Sequence, residues 1–350
     1  MKSKFRQIFA KKPSVKVTII AAAVVVAIGA VAFLLANTKA WQGNGAVFPT
    51  ENPPANVSND SVPSKEASIA TQWYPSYAAN NLAAVWADAT LIKYGESIDS
   101  GQTWSSAIEI TGADASISHT QPDIAYSSSG LRHVTYRNND GKIMYIKCAS
   151  DCNISTNWST PIEIGGIQDP AIAAYGDTVV IVWSAGDRGY SRKSADAGDT
   201  WGATKMLPGS WHLASTDPDI AVDSNGTWAV SFFQSDGNGS TNLLGATSTD
   251  GESWENVITL DLTSEQWQPD IFKPAIAALP FSLGNFYTAY QFNTQTIANP
   301  FMVIKAVSWT SGAIVTAPVI VSDPNVQAFN PAITSDTNGY VHATWQSIAQ

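Results

Sequence analysis

Trp73, Trp211 and Trp267 lie in polar stretches between apolar runs, where strand packing does not require an indole. Such a ring stacks on the apolar face of a sugar at a pocket mouth, or it wedges between packed sheets, the commoner fate of so buried a residue type. Asp123, Asp219 and Asp270 each follow a proline. Two carboxyl groups about 5–9 Å apart across a pocket can hydrolyse a glycosidic bond; an Asp after Pro more often caps a turn. Arg137 and Arg188 are candidate ligands for a polar or acidic group, because the guanidinium fork binds such groups bidentately. No dense Asp-x-Asp-x-Asp run marks a cation loop. Two cysteines without a nearby His do not make a zinc site. No metal and no cofactor are expected.

The elements that must hold these residues come from a repeat. Pro122-Asp123-Ile124-Ala125, Pro170-Ala171-Ile172-Ala173, Pro218-Asp219-Ile220-Ala221, Pro274-Ala275-Ile276-Ala277 and Pro331-Ala332-Ile333-Thr334 are copies of one motif. Pro75-Ser76-Tyr77-Ala78 is a weaker one, and successive copies are 47, 48, 48, 56 and 57 residues apart. A period near 50 without helical patterning signals a propeller or solenoid. Each unit reads as this short strand, a turn such as Asp223–Gly226, an apolar strand ending in an aromatic (Val179–Trp183, Phe286–Tyr290), then a third and a fourth strand. Four antiparallel strands make one blade. The fold expected is all-β, a six-bladed β-propeller over residues 67–350. Its sixth unit stops at Gln350 after two strands, which leaves an open pairing edge; the chain is then truncated, borrows a strand from a partner, or closes imperfectly.

A second motif sits inside the blades. Ser97-Ile98-Asp99-Ser100-Gly101-Gln102-Thr103-Trp104 and Ser194-Ala195-Asp196-Ala197-Gly198-Asp199-Thr200-Trp201 share the form Ser-x-Asp-x-Gly-x-Thr-Trp, and Thr247–Trp254 is a worn copy. The Asp carboxylate accepts the turn's own N–H groups, the Gly supplies positive φ, and the Trp ring plugs the hairpin. These residues resemble the Asp-box, or BNR repeat, of sialidases and related β-propellers. The resemblance implies that the boxes join third to fourth strands and are structural. The pocket then opens on the opposite face, among the second-to-third loops and the blade connectors.

The resemblance also implies a catalytic set: three Arg on a substrate carboxylate, a Tyr nucleophile assisted by a Glu, and an Asp for acid–base work. Glu265 and Tyr290 are the candidate pair, and Asp123, Asp219 and Asp270 the candidate acids. The arginine triad fails, because the place of the first reads Gln72-Trp73-Tyr74-Pro75 and no Arg follows Arg192. In the second unit Cys148-Ala149-Ser150-Asp151-Cys152 replaces the box, and the two cysteines read as a disulfide suited to an oxidising compartment. Trp104, Trp158, Trp201, Trp254 and Trp309 read as equivalent plugs.

Residues 1–16 form a basic head, and Val17 to Ala36 is a stretch of 20 residues without a charge. As a helix it is about 30 Å long, one bilayer core, and the basic flank places the N-terminus inside and the remainder outside. An uncleaved signal anchor is favoured over a leader cut after Ala40, because the apolar core is long for a signal peptide. Residues 37–66, rich in Pro, Asn and Ser, read as a disordered linker. Residues 1–40 hold seven of the 19 Lys/Arg and no acid, so the remainder sets 12 bases against 29 acids, a net of −17. Such a surface disfavours nucleic acid. The chain is expected at the cell membrane with its propeller outside, or secreted if the leader is cleaved. A glycan or a cell-surface protein is its expected partner. An exo-sialidase or another glycoside hydrolase is the alternative, and a non-catalytic scaffold a third.

Overall fold

The structure, a computed structural model, describes residues 57–58, 64–72, 81–88, 90–111, 119–186, 188–209, 215–235, 241–263, 274–279, 284–294, 301–335 and 341–348. The expected membrane helix therefore lies outside the described residues. The first sheet holds β1 (Ser64–Thr71), β2 (Leu82–Asp88), β3 (Leu91–Ser97) and β4 (Ile108–Glu109). The second holds β5 (Thr120–Tyr126), β6 (Arg132–Arg137), β7 (Ile143–Cys148) and β8 (Ile162–Gly165). The third holds β9 (Gln168–Tyr175), β10 (Thr178–Ala185), β11 (Arg188–Ser194) and β12 (Lys205–Met206). The fourth holds β13 (Ser215–Val222), β14 (Trp228–Ser235), β15 (Thr241–Ser248) and β16 (Glu255–Thr263). The fifth holds β17 (Pro274–Ala278), β18 (Asn285–Asn293), β19 (Met302–Thr310) and β20 (Ala313–Ile320). A last pair joins β21 (Gln327–Ser335) to β22 (Val341–Ile348).

Every sheet is an antiparallel meander in sequence order. The first strands pack in succession: β1 on β5, β5 on β9, β9 on β13, β13 on β17 and β17 on β21. Thr71 of β1 and Thr334 of β21 line the same cavity, so the succession bends back on itself. In the middle sheets the second strand is covered on both faces by neighbouring sheets and reads as an apolar run. Val179, Val180, Ile181 and Val182 of β10 are all fully buried. Five core clusters each bridge two consecutive sheets. Among the described residues none bridges the last sheet and the first. Ile69 of β1 is accordingly 58% exposed, while Val57 lies over Gly95 of β3.

The first strand differs from the expectation. It is Ser64–Thr71, which begins inside the stretch assigned to the linker, and its repeat copy is Ala67-Ser68-Ile69-Ala70. Ala in place of Pro hid it. Pro75–Ala78 lies outside the described residues.

The three boxes fold as their chemistry dictates. In the first, Ser97 Oγ donates to Asp99 Oδ1 (2.8 Å) and accepts the Gly101 N–H (2.8 Å). Asp99 accepts the Thr103 N–H (2.8 Å) and hydroxyl (2.5 Å). The second repeats this through Ser194, Asp196, Gly198 and Thr200 with the same distances. Hydrogen bonds from Thr103 and Thr200 hold the Asp99 and Asp196 carboxyls down at about 2. The worn copy is one residue shorter between Asp250 and Gly251. It keeps Gly251 at positive φ and lacks the left-handed residue that Ser100 and Ala197 supply in the others.

Trp104 Nε1 donates to Gly101 O (3.2 Å) and Trp158 Nε1 to Cys152 O (2.9 Å), as plugs should. Trp309 is different. It belongs to β19 and precedes its turn, so its ring points into the sheet interface, donates to Thr288 Oγ1 (3.0 Å) and is fully buried. Gly245 of the fourth sheet leaves room for it: a β-carbon there would stand 3.0 Å from the ring.

Cys148 and Cys152 form a disulfide, both buried. It closes the turn where the second unit lacks a box glycine. A loop this short gives a small entropic gain, so Cys148→Ser/Cys152→Ser is expected to lose about 2 kcal/mol in denaturant unfolding. No loss would mean that the hairpin needs no clamp.

Candidate functional site

Within each sheet the strands run alternately toward and away from one face. First strands start where the blade connectors arrive and end at the turns that share a face with the boxes. The starting ends therefore form the opposite rim, and there the backbone repeats an unusual feature. Glu66, Gln121, Asp169, Asp217 and Asn330 all have φ of 50–53°. All five occupy one position, immediately before the Pro or Ala that opens the repeat motif, and the sixth equivalent, Lys273, lies outside the described residues. A β-carbon disfavours this region, and a following proline restricts the residue further. The pairing register slips at each: between Lys65 and Ser68, Thr120 and Asp123, Thr216 and Asp219, Phe329 and Ala332, and opposite Asp169 between Val182 and Ser184. These bulges turn the side chains toward their neighbours. The Gln121 N–H donates to Glu66 Oε2 (2.6 Å), Gln121 Nε2 to Asp169 Oδ1 (2.7 Å), and the Asp169 N–H to Gln121 Oε1 (3.1 Å). Asn330 Nδ2 donates to Gln346 Oε1 (3.0 Å). The result is a rim of carboxylates and carboxamides, strained at a cost of order 1–3 kcal/mol per residue, which concentrates at functional sites.

Below the rim stand Asp123 and Asp219. Asp123 accepts Ser68 Oγ (2.6 Å) from the sheet before and the Ile172 N–H (2.8 Å) from the sheet after. Asp219 accepts the Ile220 N–H (2.9 Å) and, one sheet on, the Ile276 N–H (2.8 Å). Those N–H groups belong to first strands, whose inner edges have no ladder partner. Each Asp therefore ties one sheet to the next. Burial and then the charge of Asp123 push the Asp219 carboxyl up to about 7, and burial raises Asp123 too. The folded state then holds a proton that the unfolded chain releases near pH 4, so stability falls as pH rises from about 4 to 7. Asp219→Ala is expected to flatten that limb in melting temperatures taken across the range. An unchanged slope would remove the proton from Asp219.

At the other end of the first strands is a cavity of about 190 Å³, lined by Thr71, Tyr126, Tyr175, Val222, Asp223 and Thr334 among others. It faces the boxes, away from the rim.

No family model matches the sequence, and no curated protein sequence matches it. Solved structures do. NanB sialidase from Streptococcus pneumoniae superposes with a TM-score of 0.55 at 10% identity, over 86% of this chain and 68% of NanB. The fold is sialidase-like. An intramolecular trans-sialidase from Ruminococcus gnavus matches with a TM-score of 0.53 at 9% identity, over 86% of this chain and 94% of its own. An α-L-arabinofuranosidase from Fusarium graminearum matches at 0.54 and 10% identity, over 81% and 88%. The chain spans 65–68% of the length of the microbial sialidase and NanB structures it matches.

A sialidase-like fold focuses attention on the arginines. Four lie beyond residue 40, and each is engaged by its own chain. Arg132 donates to Glu96 Oε2 (2.8 Å) and Gly130 O (3.1 Å). Arg137 Nε donates to Ile167 O (2.5 Å). Arg188 Nη1 reaches Met206 Sδ (3.8 Å). Arg192 donates to Gly202 O (2.7 Å) and Ile164 O (2.9 Å). Among these hydrogen bonds no two arginines share a partner.

Tyr290 is fully buried between the fourth and fifth sheets. Its hydroxyl donates to Asp261 Oδ2 (2.5 Å), the oxygen that also accepts Lys305 Nζ (2.8 Å). Burial and then the Asp261 charge push the phenol well above its ordinary range. A sealed phenol that keeps its proton serves as a pin between sheets. Glu265, Asp270, Trp73, Trp211 and Trp267 lie outside the described residues. Of the rim positions, Gln121, Asp169 and Lys273 are legible in the sequence as connector residues of the pocket face; Glu66, Asp217 and Asn330 are not, because the set shares no residue type and only the place before the repeat motif marks it.

Proposed function

We propose that the chain is a six-bladed sialidase-like propeller, held outside the cell by its N-terminal helix, whose rim binds a neutral glycan on a surface partner. One observation carries this reading. The four arginines are committed to their own chain, while the rim offers carboxylates and carboxamides. Such groups accept and donate hydrogen bonds to sugar hydroxyls and repel an acidic sugar. Trp73, Trp211 and Trp267 would add stacking faces. The full chain in detergent is expected to be retained on immobilised neutral glycans and to release nothing from a fluorogenic sialoside. Asp169→Ala and Gln121→Ala should abolish retention at a temperature where circular dichroism shows both variants folded. Sialoside turnover, or retention indifferent to both substitutions, would sink the reading.

A second reading rests on Asp219. A carboxyl raised to about 7 beside Asp123 resembles the acid of a carboxylate pair, and the similarity to an arabinofuranosidase fold supports hydrolysis of a neutral sugar. Reducing-sugar release that disappears in Asp219→Asn would favour it.

A further inference from the structure

Three Asn-x-Ser/Thr tripeptides lie within the described residues: Asn153-Ile154-Ser155, Asn157-Trp158-Ser159 and Asn225-Gly226-Thr227. This tripeptide is the acceptor for N-linked glycans in exported proteins. The structure separates the three. All three Asn are exposed, Asn153 just after the disulfide-closed turn between β7 and β8 and Asn225 at the turn between β13 and β14. Ile154 is 50% exposed and Ser155 is exposed, so the whole tripeptide at Asn153 is open to an enzyme. At Asn225 the turn is presented by Asp223 Oδ1, which accepts the Asn225 (2.9 Å) and Thr227 (2.8 Å) N–H groups and leaves the carboxamide outward. Asn157 is different. Its Nδ2 donates to Ser150 O (3.4 Å) and Asp151 O (3.1 Å), and its middle residue, Trp158, is buried.

We propose that Asn153 and Asn225 are N-glycosylation sites and that Asn157 is not. The Nδ2 of each attacks C1 of a sugar carried on a polyprenyl phosphate. The N–C1 bond forms, the C1–O bond to phosphate breaks, the lipid phosphate leaves with the electron pair, and the carboxamide gives one proton to the transferase. Both turns lie on the box face, so the attached glycans shield that face and leave the rim open. This rests on the export reading above.

The test uses the full chain made in the presence of membranes that contain an oligosaccharyltransferase. Peptide mapping is expected to find a hexose-containing mass on Asn153 and on Asn225. Asn153→Gln and Asn225→Gln should each remove one glycan step on a gel, and Asn157→Gln none. Protection of the propeller from added protease reports export independently. A protected chain unmodified at both sites overturns the inference and leaves export standing. Modification at Asn157 overturns the structural selection. An unprotected chain overturns export and the inference together.

Discussion

Gly198→Ala is expected to destabilise the protein by about 2–5 kcal/mol in denaturant unfolding, the sum of a left-handed backbone and an overpacked contact. Gly198 has φ of 84°, and a β-carbon on it would stand 1.9 Å from Tyr145 Oη of the preceding sheet. That phenol cannot retreat. His133 Nδ1 meets it at 2.7 Å, and its ring packs edge-on against Trp201 with centroids 4.9 Å apart. The box therefore needs glycine twice, once for its own turn and once for its neighbour. Gly176 separates the two causes. It also has positive φ, 58°, and nothing lies within 4 Å of its β-carbon position. Gly176→Ala should cost about 1 kcal/mol. Equal losses at the two glycines would show that the turn alone accounts for the effect.

What could be read from the sequence follows from range. The second strands of the middle sheets were legible because two covering sheets force an unbroken apolar run, as in Val179–Trp183. The boxes were legible because their hydrogen bonds close within eight residues. β1 was not, since Ala67 stands where its sister strands carry Pro, and the motif was recognised by that Pro. The contact of Tyr145 with Gly198 spans 53 positions and the grip of Asp219 on Ile276 spans 57, and no local pattern encodes either. Trp309 had the right type near the right turn but lies before it, which moves the ring from hairpin plug to sheet interface. For the rim, the failure of the arginine triad was visible in position: the first Arg's place reads Gln72-Trp73-Tyr74-Pro75 and no Arg follows Arg192. The ring of left-handed residues was not, because Glu, Gln, Asp and Asn share a backbone role there and no chemistry that spacing could reveal.

Asp223→Ala should be comparably damaging, at about 3–5 kcal/mol, because it removes the acceptor of three partly buried N–H groups at once. Asp223 is fully buried at the end of the cavity. Its Oδ1 caps the local turn through Asn225 and Thr227, and its Oδ2 accepts the Gly284 N–H of the next sheet (2.8 Å). The second sheet shows the local half by itself: Ser127 Oγ accepts the Leu131 N–H (3.1 Å) in the corresponding turn. Asp223→Ser should therefore restore the turn cap while abandoning Gly284, with an intermediate loss of about 1–3 kcal/mol. Hydrogen exchange distinguishes this from a general loosening. In Asp223→Ser the Gly284 amide should lose protection while the Thr227 amide keeps it. If Gly284 stays protected, its hydrogen bond does not depend on Asp223, and the fourth and fifth sheets must be held together at this end by apolar packing alone.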